Sequence, residues 1–344
     1  MAALEKTSAV GQSAGWLPLH IVLRDEEGLL VGALPLYLKN HSYGEYIFDW
    51  SWADASERSG IPYYPKLVSA IPFTPASGNR LLLSDPCSEE LAAGLWRGVQ
   101  AVIQATKASS VHLLFTPESH HSILNKQSFI SRKTSQFHWH NRDYESFDHW
   151  LSCFKTKARK NVRAERRKAS NAVDRLYWLS GAELTSKHIE TIWNFYQDTT
   201  SRKWGQPYLP RAFFSELGQS LADLTLVCFA EKDGELVASS LCFQKGEHLY
   251  GRYWGCKDKI DGLHFELCYH QPIALCIQQG WKKFEAGAQG EHKLKRGLLP
   301  TVTHSLHWLR HQGLHNAISD YCEREANDTE RRIQLLQTHS PLKN

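Results

Sequence analysis

One methionine, the first residue, stands against 12 Trp, 13 Tyr and 14 Phe in this chain of 344 residues. The side chain that best fills irregular gaps is therefore almost missing, and the core must be assembled from rigid rings. No apolar run approaches the roughly 18 residues that cross a bilayer. The start, Met1-Ala2-Ala3-Leu4-Glu5-Lys6, has a glutamate and no apolar stretch, unlike a secretory leader. None of the eight cysteines forms a C-x-x-C pair, and several interrupt apolar runs, as in Leu226-Val227-Cys228-Phe229. They read as reduced core residues of a cytoplasmic protein, not as a disulfide frame or zinc site. No Ser or Cys sits in a nucleophile motif, which argues against a covalent enzyme intermediate. His120, His121, His138, His140, His304 and His307 lack a carboxylate or Cys at ligand spacing, so no metal is expected. Charge is modest, at +4 overall with 22% charged residues, and 42% hydrophobic content is that of a folded chain.

What the chain does have is self-similarity. Gly28, Leu30 and Val31 match Gly234, Leu236 and Val237 at one constant offset, and Tyr43-Gly44-Glu45-Tyr46 matches Tyr250-Gly251-Arg252-Tyr253 one residue further on. Each copy reads as three antiparallel strands, with a strong hairpin signal at Asp233-Gly234. In the second copy a helix is expected over 265–279, with Pro272 as a kink or true start and Gly280 as its stop, followed by a strand over 283–286. The first copy repeats the order, with a helix near 89–106 and a strand near 111–116. Residues 54–88 form an insertion rich in Pro and aromatics. Two more helices, 184–199 and 211–221, precede the second meander. The expected organisation is therefore two units, 1–135 and 136–344, the first abbreviated at its N-terminus.

Helices, an antiparallel meander, a helix and then a strand is the order of the GNAT acyltransferase fold. Several runs point to one family: Tyr43-Gly-Glu-Tyr-Ile-Phe-Asp-Trp50, Tyr63-Tyr-Pro-Lys-Leu67, Ile71-Pro-Phe-Thr-Pro-Ala-Ser-Gly-Asn-Arg-Leu-Leu82 and Gln136-Phe-His-Trp139. Others are Arg159-Lys-Asn-Val-Arg-Ala-Glu-Arg166, Gly251-Arg-Tyr-Trp-Gly255, His264-Phe-Glu-Leu-Cys-Tyr269 and Phe284-Glu-Ala-Gly-Ala-Gln-Gly-Glu-His-Lys-Leu-Lys-Arg-Gly297. On these the chain resembles the FemAB-like family of peptidoglycan biosynthesis or recognition. The resemblance implies an α/β fold of two tandem GNAT-like units, each a mixed, mainly antiparallel sheet flanked by helices. It also implies transfer of an acyl or aminoacyl group from aminoacyl-tRNA to an amine, such as that of a peptidoglycan precursor.

Acyl transfer to an amine needs a base, a stabiliser of the tetrahedral oxyanion and an acid for the leaving atom. Glu285 or Glu266 is the candidate base. Lys293 or Arg252 is the candidate oxyanion stabiliser, and His264 or His292 the proton shuttle. Tyr253, Trp254, Gly255, Gln289, Gly290, Glu291 and Arg296 surround them in sequence as candidate donor-binding residues. A buried ion-pair network of Arg252, Glu266 and Glu285 would explain the same residues without chemistry. Tyr63, Tyr64 and Phe73, in the Pro-rich insertion, are the candidates for lining a cleft. The helix expected over 155–168 carries Lys157, Arg159, Lys160, Arg163, Arg166 and Arg167 with a single acid, and such a field attracts phosphate. Its partner would be tRNA, a nucleotide-linked precursor or coenzyme A. No permanently bound cofactor is expected. The alternatives are an acyl-CoA-dependent N-acyltransferase and a non-catalytic module that recognises a peptide or RNA.

Overall fold

Short, largely apolar runs follow an opening helical turn at Ala2–Lys6, and in the computed structural model, which describes residues 1–202, 207–288 and 290–343, they form β1 (Leu17–Pro18), β2 (Ile21–Arg24) and β3 (Leu30–Leu34). The chain divides into two units. The first holds Val10–Ser135 with Val302–Ile333, and the second holds Ala2–Ala9, Gln136–Thr301 and Gln334–Asn344.

In the first unit Gly28, at φ +82, closes the β2–β3 hairpin in a backbone conformation that a side chain resists. β4 (Tyr37–Lys39) then leaves the hairpin and pairs antiparallel with β1 and with β5 (Lys66–Ser69). The third strand expected at Tyr43–Tyr46 does not form. Gly44 and Tyr46 both take positive φ, and the chain turns into helix α1 (Trp50–Arg58). β6 (Leu82–Leu83) completes a small sheet in the order β2-β3-β6. Helix α2 (Glu89–Thr106) is capped by Ser88, whose Oγ accepts from the Leu91 N–H at 3.2 Å. α2 presses on that sheet through Gly94 and Gly98. A Cβ there would meet Leu23 at 2.9 Å and Ile21 at 2.7 Å. β7 (Ser110–Thr116) follows, buried along its whole length and parallel to β5.

β8 (Ile130–His140) carries the chain into the second unit. Helix α3 (Thr156–Asn171) is the expected basic helix. β9 (Arg175–Ser180) precedes helix α4 (Ser186–Arg202), which starts two residues later and ends three residues later than the pattern predicts. A further helix, Arg211–Glu216, is shorter than expected. Then come β10 (Thr225–Lys232), β11 (Glu235–Lys245) and β12 (His248–Cys256), an antiparallel meander whose first hairpin turns on Asp233 and Gly234, both at positive φ. The helix expected over 265–279 runs from Leu263 to Gln278 and is widened in its middle. A π-turn over Glu266–His270 precedes α5 (Gln271–Gln278), whose first turn contains Pro272. Proline has no N–H to donate backwards, so the preceding turn widens. Gly280, at φ +69, stops the helix, and β13 (Lys283–Glu285) lies parallel to β12 and antiparallel to β8. The sheet order is β8-β13-β12-β11-β10-β9.

β14 (Leu299–Leu309) and α6 (Gln312–Thr338) follow. Residues 302–333, expected with the second unit, belong to the first. His307 registers opposite His112 of β7, and Ile318 and Cys322 of α6 pack with Trp52, Tyr63 and Leu309. The first core centres on Leu36, Leu67, Leu95, Val99 and Val111; the second on Trp139, Trp150, Phe154, Leu249, Ile273 and Phe284. Among the described residues no helix is long and apolar enough to cross a membrane.

Candidate active site

β12 and β13 pair over three residues and part beyond Tyr250 and Glu285. β12 runs on through Arg252, Tyr253 and Trp254, while the chain after Glu285 turns away at Gly287, at φ +83, and re-enters a short helix, Glu291–Arg296. The strands are therefore splayed where the donor was expected.

Lys293 lies in that short helix and is only 2% exposed. Its ammonium donates to the Gly287 carbonyl at 2.8 Å, and among the described residues no carboxylate pairs with it. Burial pushes its pKa down to about 8. The chain before it is tight: at Gly290, φ +113, a Cβ would meet the His292 ring at 2.4 Å. Gln289 lies outside the described residues. Glu291 is exposed at the start of the short helix.

Aromatic rings flank the neighbouring His292, which is itself exposed. Phe265 and Tyr269 stack with centroids 6.2 Å apart, and the imidazole lies 5.8 Å from each. The Tyr269 hydroxyl and His292 Nε2 share a hydrogen bond of 2.9 Å. Burial first, then the Arg296 and Lys293 charges, lower the His292 pKa, so the ring is neutral at pH 7. The His264 ring stands 5.7 Å from Tyr269 and 6.5 Å from His292 and packs on Trp254. One group thus gathers His292, His264 and Trp254, and Lys293 follows His292 in the same short helix.

The carboxylates are less free than their types imply. Glu266, fully buried, accepts from Arg166 at 3.1 Å and from Gln271 at 2.9 Å. Arg166 therefore points inward, over the Phe147 ring at 4.1 Å, and is not part of an outward phosphate-binding face. Glu285, 2% exposed, pairs with Lys283 at 2.6 Å and lies 4.0 Å from His138 Nε2. Burial first, then the Lys283 charge, hold His138 well below the usual histidine range. Glu165, the lone acid of the basic run, is forked by Arg296 and takes a further hydrogen bond from His270 at 2.9 Å. Arg296 also covers Phe265 at 3.3 Å and donates to the His292 carbonyl at 2.9 Å.

Other expected residues fall elsewhere. Arg252 lies along the Tyr253 ring, 4.9 Å from its centroid. Gly255 permits contact with α4, not with a ligand, because a Cβ would stand 2.4 Å from Phe195 Cβ. Tyr63 and Phe73 are buried in the first unit. The Tyr63 hydroxyl donates to Asp49 at 2.6 Å, and Phe73 packs on Trp16 at 5.5 Å. Tyr64 is half-buried, its hydroxyl 2.9 Å from Ser42. On α3, Arg163 pairs with Asp148 at 2.9 Å, while Lys157, Lys160 and Arg167 are exposed and Arg159 is half-buried.

Sequence reasoning missed Tyr269, Phe265, Glu165 and His270 here. It also missed a charged cluster buried in the first unit, where Lys66 bonds Asp49, Glu45 and Ser42 at no measurable exposure. Burial would lower Lys66, but Glu45 and Asp49 outweigh it and raise it; burial pushes Glu45 up to about 7 and the neighbouring Lys39 down to about 7. A lysine inside the apolar run Lys66-Leu67-Val68 was the available signal.

Against known proteins the class emerges first. FemX is similar over 90% of this chain and 92% of its own, at 10% identity and TM-score 0.55. L-PGS from Bacillus licheniformis is similar over 93% and 94%, at 9% and 0.57. The C-terminal domain of a putative lysylphosphatidylglycerol synthetase from Agrobacterium fabrum covers 93% and 95%, at 10% and 0.54. At such identities the likeness establishes a shared fold. No curated protein matches the chain in sequence. The FemAB-like family, described as peptidoglycan biosynthesis/recognition, matches residues 1–344, and the chain belongs to it.

Proposed function

We propose that this enzyme moves an aminoacyl group from aminoacyl-tRNA to an amine of a peptidoglycan precursor. One observation carries the reading: a buried lysine that meets no carboxylate among the described residues, Lys293, beside splayed strands and a neutral histidine. A charge kept in so dry a place costs stability, and anion stabilisation gives it a use. The acceptor amine attacks the ester carbonyl carbon and a C–N bond forms. Lys293 stabilises the oxyanion, His292 takes the ammonium proton, and collapse breaks the C–O bond to the ribose. The proton then passes to the departing hydroxyl, with Tyr269 holding His292 in place. An acceptor that arrives as an ammonium first gives one proton to Glu285, whose carboxylate is held by Lys283, and attacks as the free amine. Glu266 supports the site from behind through Arg166.

The test supplies the protein with charged tRNA and, separately, with acyl-CoA, each with an amine acceptor pool. Consumption of aminoacyl-tRNA with a matching mass gain in the acceptor is expected. Consumption of acyl-CoA alone replaces the donor. No consumption of either sinks the catalytic account and leaves a recognition module.

A further inference from the structure

A cavity of about 430 Å³ opens within the second unit between the first half of α3, the end of the short helix and the segment His339–Pro341. Its walls are apolar at Ala158, Val162 and Pro341, and cationic at Lys155, Lys157, Lys295 and Arg296. The segment that closes it is tied down. The Lys155 N–H donates to the Pro341 carbonyl at 2.8 Å, the Lys155 ammonium to the Ser340 carbonyl at 2.8 Å, and the Lys343 N–H to the Cys153 carbonyl at 2.8 Å. The cavity is therefore a built feature and not the gap beside a loose tail.

Its charge is unbalanced. Among the described residues Glu165 is the one acid in the wall, and Arg296 already pairs with it. Among the described residues Lys157 and Lys295 make no ion pair or hydrogen bond, although Arg163 and Lys168 on the same helix both find aspartates. Two unpaired ammonium groups beside an apolar wall suit a phosphate ester attached to a flat, apolar body. The volume admits a nucleotide and excludes a folded RNA.

We propose that this cavity is a subsite for a nucleotide phosphate of the acyl donor, held by Lys157 and Lys295 with the nucleoside against Ala158, Val162 and Pro341. The assignment rests on the transfer reading for its donor, but the cavity shares Arg296 with the candidate active site on the structure alone. Arg296 lines the cavity, donates to the His292 carbonyl and covers Phe265, so a phosphate there lies one side chain away from the proposed chemistry. Of the basic side chains on α3, Lys157 is thereby separated from Arg163, Arg166 and Lys168, whose charges are spent on aspartate or glutamate.

The test is binding without turnover. The full chain is titrated calorimetrically with inorganic pyrophosphate, coenzyme A and the RNA trinucleotide CCA, as wild type and as the double variant Lys157→Gln/Lys295→Gln. For CCA or coenzyme A, whichever binds, affinity is expected to fall at least tenfold in the variant. The slope of log affinity against log salt should become shallower by about 1.4, two contacts at roughly 0.7 each. Loss confined to CCA assigns an RNA donor, and loss confined to coenzyme A assigns a thioester donor. Equal affinity of wild type and variant for every probe, or no binding to the wild type, overturns the subsite. Because no step is catalysed, absence of transfer in the earlier assay does not alter these outcomes.

Discussion

Arg296 lays two nitrogens of its guanidinium on Glu165, Nε on Oε1 at 2.9 Å and Nη2 on Oε2 at 2.6 Å, across 131 residues of sequence. This fork fastens the only acid of the basic helix to the segment that presents His292 and Lys293. Burial would raise the Glu165 carboxyl, but the hydrogen bonds from His270 and Arg296 outweigh it and hold the pKa below the ordinary value. A carboxylate depressed in the fold contributes stability that is present above its unfolded pKa and is lost as pH falls through the folded one. Glu165→Gln should therefore cost about 2 kcal/mol at pH 7, less than a fully buried pair because Glu165 keeps some exposure. Its deficit against wild type should shrink in acid below the usual carboxylate pKa. Urea unfolding at pH 7 and pH 3.5 measures both, and an unchanged midpoint at pH 7 would refute the role of the fork.

Lys293 predicts opposite movements of stability and activity. Its folded pKa, about 8, lies below the ordinary lysine value of 10.5. Such an amine contributes its stability fully above the unfolded pKa, and loses it as pH falls through 8. At pH 7 the buried ammonium therefore costs on the order of 3 kcal/mol. Lys293→Met should raise the melting temperature at pH 7 while lowering transfer by about 100-fold or more. In the wild type the rate should decline as pH rises through 8, when the ammonium loses its proton. A flat profile from pH 7 to 9 would remove Lys293 from the chemistry.

Glu266 and Glu285 share a residue type and differ in surroundings. Glu266 is held by Arg166 and Gln271 and has no exposure, so its loss leaves Arg166 facing Phe147 without its counter-charge. Glu266→Ala should destabilise by about 3 kcal/mol. Glu285→Gln keeps the shape beside Lys283 and His138 and should lower turnover at least tenfold. Thermal melts and initial rates on the two variants separate the roles. A stable, inactive Glu266→Ala would reverse the assignment.

Much of this was legible where the signal is local. Asp233-Gly234 between apolar runs and Gly280 after a helix both mark boundaries by the conformations these residues allow. The stretch from Gly287 to Arg296 was singled out by the family resemblance and by its place after the second copy's last strand, and it holds Lys293. What escaped the sequence depends on partners far apart in the chain. Nothing near Tyr63 announces Asp49, nor does α3 show that Arg166 turns in to Glu266, 100 residues on. Tyr43-Gly44-Glu45-Tyr46 resembles Tyr250-Gly251-Arg252-Tyr253 in letters, yet Glu45 is drawn to Lys66 and Tyr46 takes φ +63, so one copy is a loop and the other a strand.

His112 and His307 supply an acid test of the first unit. They face each other on β7 and β14 with Nδ1 atoms 2.7 Å apart, and each Nε2 lies 2.8 Å from a serine hydroxyl, Ser110 and Ser305. One ring donates and the other accepts, so both are neutral. Burial pushes His112 down to about 3 and holds His307 well below its usual value. A depressed histidine contributes stability that is present above the unfolded value of 6.5 and is lost as pH falls towards the folded one. Over that window the unfolded chain binds two protons that the fold refuses, a slope of about 2.7 kcal/mol per pH unit. Stability measured by urea unfolding should fall steeply from pH 6.5 downward. The double variant His112→Gln/His307→Gln, which can keep a hydrogen bond across the strands, should start lower at pH 7 and fall less steeply. Equal slopes in variant and wild type between pH 6.5 and 4.5 would show that the pair is not what makes the fold acid-sensitive.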